Sequence, residues 1–464
     1  MGIKNKAVFL RLVWVILTLL IIAALFLFPS PYWNTGELKI IALAVFCIVF
    51  WATNPISPMQ TALLFFFFAM IFEVAPPAII FSGFKSPAEW LVFGGLVIGI
   101  AIHVTGLGKR LATLFMTHVG NSYPILIMAL VGLGILFGFV MPSATGRVVL
   151  IVPIVLEIAT NFGFTKGERG RTGFVLAGIM GAYIPSFGIL PANAPNIVLS
   201  GMSQLLFDIR FSYSEYFILH FPVLGLLKAL VIIGLIIWLF PDKVRPKKRM
   251  PIASKLPFSK KEIRLTILLA TLFILWITDF IHHWSPAWIA LGGAIVLILP
   301  SVGVINPREF QSGMKLDPLL FIAGILGFGS MIGFSGLGQD LAKTLLAFMP
   351  LHPGADFQNY MSLNFIATLT GTLTTLPGVP AVLTPLADSF ATASGLPLKS
   401  IFMTQVSGFS NVLFPYQAPP VLVGMLLAGE KIAPALKLLL LLALVSLLVL
   451  LPLNYFWWEF TGWL

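Results

Sequence analysis

Long apolar runs separated by short polar interruptions dominate the chain, and the length of those runs sets the fold class. A helix needs roughly 20 apolar residues to cross about 30 Å of hydrocarbon. Windows of that kind fall near residues 8–28, 37–53, 57–75 and 87–107. A short amphipathic piece begins at Lys109 and Arg110. The apolar run 122–140 then breaks at Met141 and resumes from Arg147 to Phe162. A basic turn at 166–171 leads to a helix from 172 that is interrupted at Leu190–Asn196 and ends near 206, and a further crossing covers 215–240. The pattern then restarts, with runs at 265–281, 286–302, 317–337, 357–395, 398–428 and 432–457. These spacings predict an all-α polytopic membrane protein of about 11 transmembrane helices. They also predict two re-entrant hairpins, 122–163 and 357–395, and two broken helices, 172–206 and 398–428.

The interruptions are the informative part. Backbone groups freed from a helix in lipid cost several kcal/mol each unless protein or an enclosed aqueous site satisfies them. Four breaks rich in proline and small residues occur, two per half: Met141–Arg147, Leu190–Asn196, Thr374–Pro380 and Phe414–Pro420. Corresponding Gly/Pro breaks in two halves are the best sequence pointer to a transporter's central binding site.

The halves also match residue by residue. A shift of 230 positions sets Gly83, Lys85, Gly94, Leu96, Gly99, Ile102, Gly106, Leu107, Gly108, Leu111 and Ala112 on identical residues without a gap. In the breaks, Pro191, Asn193 and Pro195 lie on Pro415, Gln417 and Pro419, so a side-chain amide recurs between prolines. The expected organisation is an N-terminal helix (1–36), a first repeat (37–241), a basic cytoplasmic linker (242–264) and a second repeat (265–464). An odd number of crossings between equivalent elements makes the repeats inverted in the membrane.

Composition sharpens this picture. The 464 residues are 58% hydrophobic and 10% charged, against about 25% charged in soluble domains. The net charge of +11 does not point to nucleic acid, because much of the excess sits in one stretch between apolar runs, Lys243 to Arg264. Lysine and arginine collect on the cytoplasmic side of membrane proteins. With the N-terminus inside, Lys109, Arg110, Arg308, Lys315 and Lys431 fall inside too, and Trp457, Trp458 and Trp463 form an aromatic belt outside, with the C-terminus. The N-terminal run leaves through Pro-Ser-Pro-Tyr-Trp, which has no small-residue cleavage pattern, so it reads as a retained first helix. The lone Cys47 excludes an intrachain disulfide and a cysteine metal cluster. No other metal-ligand spacing is present: His103 and His220 are isolated and read as packing or polar contacts.

Arg147 stands out, since a charge in a membrane segment is costly and is a functional-site hypothesis by default. It lies one turn into the returning helix, where its guanidinium can face an oxyanion or pair with Glu157 or Asp388. The hydroxyls of Ser143, Thr145, Thr374 and Thr375 suit an anion or cation held at half-helix N-termini, whose dipoles favour negative charge. They can equally bond back to the helix. Asn193, Asn196 and Gln417 sit beside unwound backbone and can donate either to substrate or to that backbone. Glu157 and Asp388 are candidates to carry coupling protons if sodium is not used. The series Gly94, Gly95 and Gly324, Gly327, Gly329 reads as close helix packing.

A hairpin with a Ser/Thr tip followed by a helix broken at a Pro-Asn motif, done twice, resembles the divalent anion:sodium symporter family over nearly the whole chain. Ser143, Ala144 and Thr145 occupy the family's first Ser-Asn-Thr tip, and Thr375, Leu376 and Pro377 its second. Both tip asparagines are thus replaced. Asn193–Asn196 corresponds to the first broken-helix motif and Ala418–Val421 to the second. The resemblance implies an elevator-type homodimer that moves a small dicarboxylate, tricarboxylate or sulfate, with Na+ as the coupling ion and no other cofactor. Its coupling-ion positions fall on Ser143, Ala144, Thr145, Thr375 and Ala418.

The sequence therefore reads as a secondary transporter of small anions in the cytoplasmic membrane of a bacterium or archaeon, working by alternating access, and not as an enzyme. The substrate class is dicarboxylate, sulfate or sulfonate. Alternatives are a proton-coupled carrier, exchanger or exporter of the same fold, and, from another class, a membrane enzyme acting on a lipid-linked substrate.

Overall fold

The computed structural model describes residues 3–28, 33–117, 120, 122–245 and 257–464, without the side chains of 3–11 and 115–117. The side chains of Lys4, Lys6 and Arg11 at the N-terminus, and the whole of Lys247, Lys248, Arg249 and Lys255 in the basic stretch, lie outside what is described. Helices account for all regular structure among the described residues. Seven of them are long and apolar enough to cross a membrane, or eight if one bent pair counts as a span. Shorter apolar helices, Leu12–Leu27, Pro58–Ile71 and Pro286–Ile298, stand where the sequence puts further crossings.

Helix starts follow local chemistry. Asn34 with Glu37, Ser57 with Gln60, Ser259 with Glu262 and Asn306 with Glu309 form reciprocal caps that satisfy the free N–H groups of the first turn. Pro87–Thr105 ends at Gly106 and Asp317–Ser335 at Gly336, with φ of 72° and 77°. That left-handed geometry is cheap only for glycine. Amphipathic helices Leu107–Thr117 and Leu337–Phe348 follow each stop. The last long span of each half, Tyr213–Leu239 and Ala433–Phe460, contains a π-helical stretch, Phe221–Leu227 and Ser446–Leu450. Arg110 bridges the halves, donating to Glu262 at 2.6 Å.

The breaks begin earlier than the sequence predicts. Arg169–Tyr183 stops before Pro185, and two 3-10 turns, Pro185–Gly188 and Leu190–Ala192, precede Ala194–Phe207. Pro185 lacks the N–H that would continue the ladder, so unwinding starts there. Leu398–Phe409 likewise gives way at Ser410, and beyond a 3-10 turn at Pro415–Gln417 the α-helix resumes at Pro419–Leu427. At the first tip, Tyr123–Val140 ends at Met141 and the returning helix starts at Ala144, capped by the Ser143 hydroxyl, which accepts from Gly146 N at 3.1 Å. The second pair, Asp356–Leu373 and Gly378–Ser394, is bent by 118° at residues 374–377.

Small residues let these elements meet backbone to backbone. A Cβ on Gly134 would lie 2.3 Å from Gly181 C, which brings Tyr123–Val140 against Arg169–Tyr183. One on Gly324 would lie 2.4 Å from the Ala62 Cβ. The halves interlock through the breaks: Ala194–Phe207 packs on Gly378–Leu383 and Asp317–Ser335, while Pro419–Leu427 packs on Ala144–Asn161 and Arg169–Tyr183. The expected aromatic belt differs at Trp458, which is fully buried with its ring 5.1 Å from Tyr360 and 5.9 Å from His220. His220 is buried and its Nε2 contacts Met403 Sδ at 3.1 Å.

Candidate functional site

The reciprocal packing of the two broken helices carries both tips and both breaks to one place. A cavity of about 310 Å3 is lined by Ser143, Ala144 and Thr145 from the first tip and by Thr375, Leu376 and Pro377 from the second. Asn193 and Gln417 line it from the breaks, with Tyr183, Gly95 and Leu96 among the flanking residues. No charged side chain is among its described lining residues. Polarity comes instead from hydroxyls, amides and the starts of Ala144–Asn161 and Ala194–Phe207, whose helix dipoles favour an anion.

The polar groups divide into those spent on the protein and those that are not. Gln417 faces the cavity but is internally satisfied: its Oε1 accepts from Leu413 N and Phe414 N at 3.0 and 2.8 Å, and its Nε2 donates to Gly371 O at 2.8 Å. It ties the second break to the second tip's helix. Asn193 donates to Ser186 Oγ at 2.9 Å. The Thr375 hydroxyl is buried and has no hydrogen-bond partner among the described residues. Thr145 is exposed to the cavity.

Four sequence candidates lie outside the lining. Asn196 is buried and staples the first break, donating to Ser186 O, Phe187 O and Ile189 O at 3.4, 3.1 and 3.0 Å. Thr374 donates to Thr370 O at 2.7 Å, ending its helix. Ala418 is fully buried in the second break. Arg147, read from the sequence as facing substrate, points into protein. Its Nε donates to Ala182 O at 2.8 Å, Nη1 to Met141 O and to Ala192 O at 3.0 Å, and Nη2 to Ser186 Oγ at 2.7 Å. The guanidinium thus joins the first tip to both sides of the first break. Neither Glu157 nor Asp388 pairs with it; both are exposed.

Gly95, Leu96 and Ser143 are shared with a second, larger space of about 720 Å3 that also has His103, Lys109, Glu157, Glu309 and Lys315 in its wall. His103, read from the sequence as a packing or polar contact, is exposed there. The sequence reading missed the lining role of Gly95 and Tyr183, for which no local signal exists. It also missed Lys228, a lone charge inside an apolar run, which the rule that singled out Arg147 would have found.

A family described as the sodium:sulfate symporter transmembrane region matches residues 9–464. A sodium-dependent dicarboxylate transporter, SdcS, of Staphylococcus saprophyticus is 25% identical over 344 residues, 70% of this chain and 65% of that one. The L-tartrate/succinate antiporter of Escherichia coli is 23% identical over 361 residues, 73% of this chain and 72% of that one. The crystal structure of the Alcanivorax borkumensis YdaH transporter superposes with a TM-score of 0.56 at 17% identity, covering 83% of this chain and 88% of that one, a likeness of fold.

Proposed function

The chain belongs to the sodium:sulfate symporter, or divalent anion:sodium symporter, family, and from that premise we propose that it carries a small dianion by alternating access. The substrate class is dicarboxylate, sulfate or sulfonate. It is held in the cavity between the two tips and the two breaks, near the bilayer midplane. The observation that carries this reading is the single cavity lined at once by Ser143, Thr145, Asn193, Thr375 and Gln417, with the Thr375 hydroxyl buried and unpartnered behind that lining. A buried hydroxyl without a partner costs about 1–3 kcal/mol, and a bound oxyanion removes that cost.

Gln417 acts in this scheme by fixing the second break, and Asn196 and Thr374 by holding their segments in place. Ser143 and Thr145 contact the anion directly, Thr375 does so by turning its hydroxyl into the cavity, and Asn193, tied by its amide to Ser186, is held beside it. The larger space bearing Lys109 and Lys315 is the entry from the cytoplasmic side, which makes the conformation inward-facing. Family membership supports a homodimer and an elevator motion, and the scheme keeps the inverted repeats and a bacterial or archaeal cytoplasmic membrane with the N-terminus inside. Sodium is the family's coupling ion. At the tip positions where an amide oxygen would serve it, however, Ala144 and Leu376 offer none, leaving Ser143, Thr145 and Thr375 hydroxyls and backbone carbonyls, such as that of Ala418.

Uptake of labelled succinate or sulfate into liposomes containing the purified protein tests the reading. Saturable uptake that the unlabelled anion competes away is expected. Unitary currents in single-channel recordings, or the absence of anion uptake in either direction, would overturn it.

A further inference from the structure

Among the described residues, two cations lie inside the protein without a carboxylate, and each sits at one of the helix breaks. Arg147 is fully buried and Lys228 is 1% exposed. Neither takes part in an ion pair among the described residues. Lys228 lies just after the π-helical stretch of its span and donates from Nζ to Ser410 O at 2.7 Å and Ser410 Oγ at 3.4 Å. Ser410 ends the helix Leu398–Phe409, where the negative end of the helix dipole favours a cation. Arg147 sits in a shell of oxygens: the carbonyls of Met141, Ala182 and Ala192 and the Ser186 hydroxyl.

Carbonyl and hydroxyl oxygens gathered from a tip and from both sides of an unwound segment are the ligands a hard cation takes. At the first junction a guanidinium already occupies them. The side chains that would complete an ion shell at the tips are apolar, Ala144 and the buried Leu376. A buried charge without a counter-charge is strongly unfavourable, so two such cations, each bonded to a segment that leads into an uncharged cavity, call for compensation. A dianion in that cavity supplies it.

Resting on the anion-transporter reading, we propose that this protein binds its dianion without sodium, with Arg147 and Lys228 serving as tethered counter-charges at the first and second breaks. Arg147 is a positioning residue as well: it fixes the carbonyls of Met141 and Ala192, next to the lining residues Pro142 and Asn193. Lys228 fixes the start of the unwound segment that leads to Gln417.

The test is titration calorimetry of succinate and of sulfate on the purified full-length protein, in choline chloride and in an equal concentration of sodium chloride. Dissociation constants that agree within about threefold between the buffers are expected. Binding that requires sodium, or that sodium tightens by more than about tenfold, each tenfold being about 1.4 kcal/mol, overturns the proposal while leaving the anion-transporter reading intact. Absence of binding in both buffers overturns both. Arg147→Gln and Lys228→Gln are each expected to weaken the anion at least about tenfold in both buffers, and Arg147→Lys to recover part of the loss. Wild-type affinity in both glutamine variants contradicts the tethered-charge role. If a variant does not fold, the wild-type comparison between buffers decides alone.

Discussion

Thr375→Val is expected to make the protein more stable and its anion affinity worse. The substitution conserves volume and removes only the hydroxyl, which is buried at the second tip with no partner among the described residues. An unmade hydrogen bond at a buried polar group costs about 1–3 kcal/mol, so its removal relieves a penalty of that order in the free protein. A hydrogen bond to a charged ligand is worth about 1.5–3 kcal/mol, so the same change is expected to weaken anion binding by roughly 10- to 150-fold. Thr374 is the internal control. Its hydroxyl donates to Thr370 O at 2.7 Å and does not line the cavity, so Thr374→Val should cost about 1 kcal/mol of stability and leave affinity unchanged. Thermal unfolding without ligand, paired with calorimetric titration of succinate and sulfate, reads both quantities. A Thr375→Val protein that is less stable than wild type and binds the anion equally well refutes the reasoning, because the hydroxyl would then be satisfied inside the protein and absent from the site.

Gln417→Leu removes three hydrogen bonds that hold the second break, so a loss of about 3 kcal/mol or more in unfolding free energy is expected, together with loss of anion binding; a thermal melt unchanged from wild type would contradict it. A Cβ on Gly95 would lie 2.8 Å from the Pro142 Cβ, so Gly95→Val should displace the first tip and lower uptake in liposomes, with gel filtration showing an intact protein. Lys109→Gln with Lys315→Gln should slow anion entry from the cytoplasmic side at low ionic strength and converge on wild type at high salt, since exposed charges act over a Debye length of about 8–10 Å. Salt-independent rates for the double variant would show that the larger space is not the route.

The broad class was legible because lipid leaves little choice: spans must be apolar and broken helices must be satisfied, so the four breaks stood out as residue types alone. That Ser143, Thr145, Asn193, Thr375 and Gln417 belong together was legible from the breaks' correspondence between halves. Which way a polar group points was not. Arg147 had the spacing to reach substrate, but its direction depends on carbonyls at 182 and 192, freed by an unwinding at Pro185 that begins before the motif that marks the break. Asn196 turned inward to the carbonyls of the unwound segment, and Thr374 bonds back to Thr370 O one turn earlier in its own helix. Gly95 and Tyr183 reach the cavity only through tertiary packing, which periodicity does not encode.

The central claim is that the anion sits between the two tips and the two breaks. It can be tested with thiols placed at the tips, since the chain's one cysteine, Cys47, is fully buried. Thr145→Cys and Thr375→Cys proteins would be treated with a small maleimide in the presence and absence of saturating succinate or sulfate. The account predicts that a transported anion slows labelling at both positions, while a cysteine placed on the lipid-facing Leu448 reacts at the same rate with and without it. Labelling of both tip cysteines unaffected by any anion that the protein carries would place the site elsewhere.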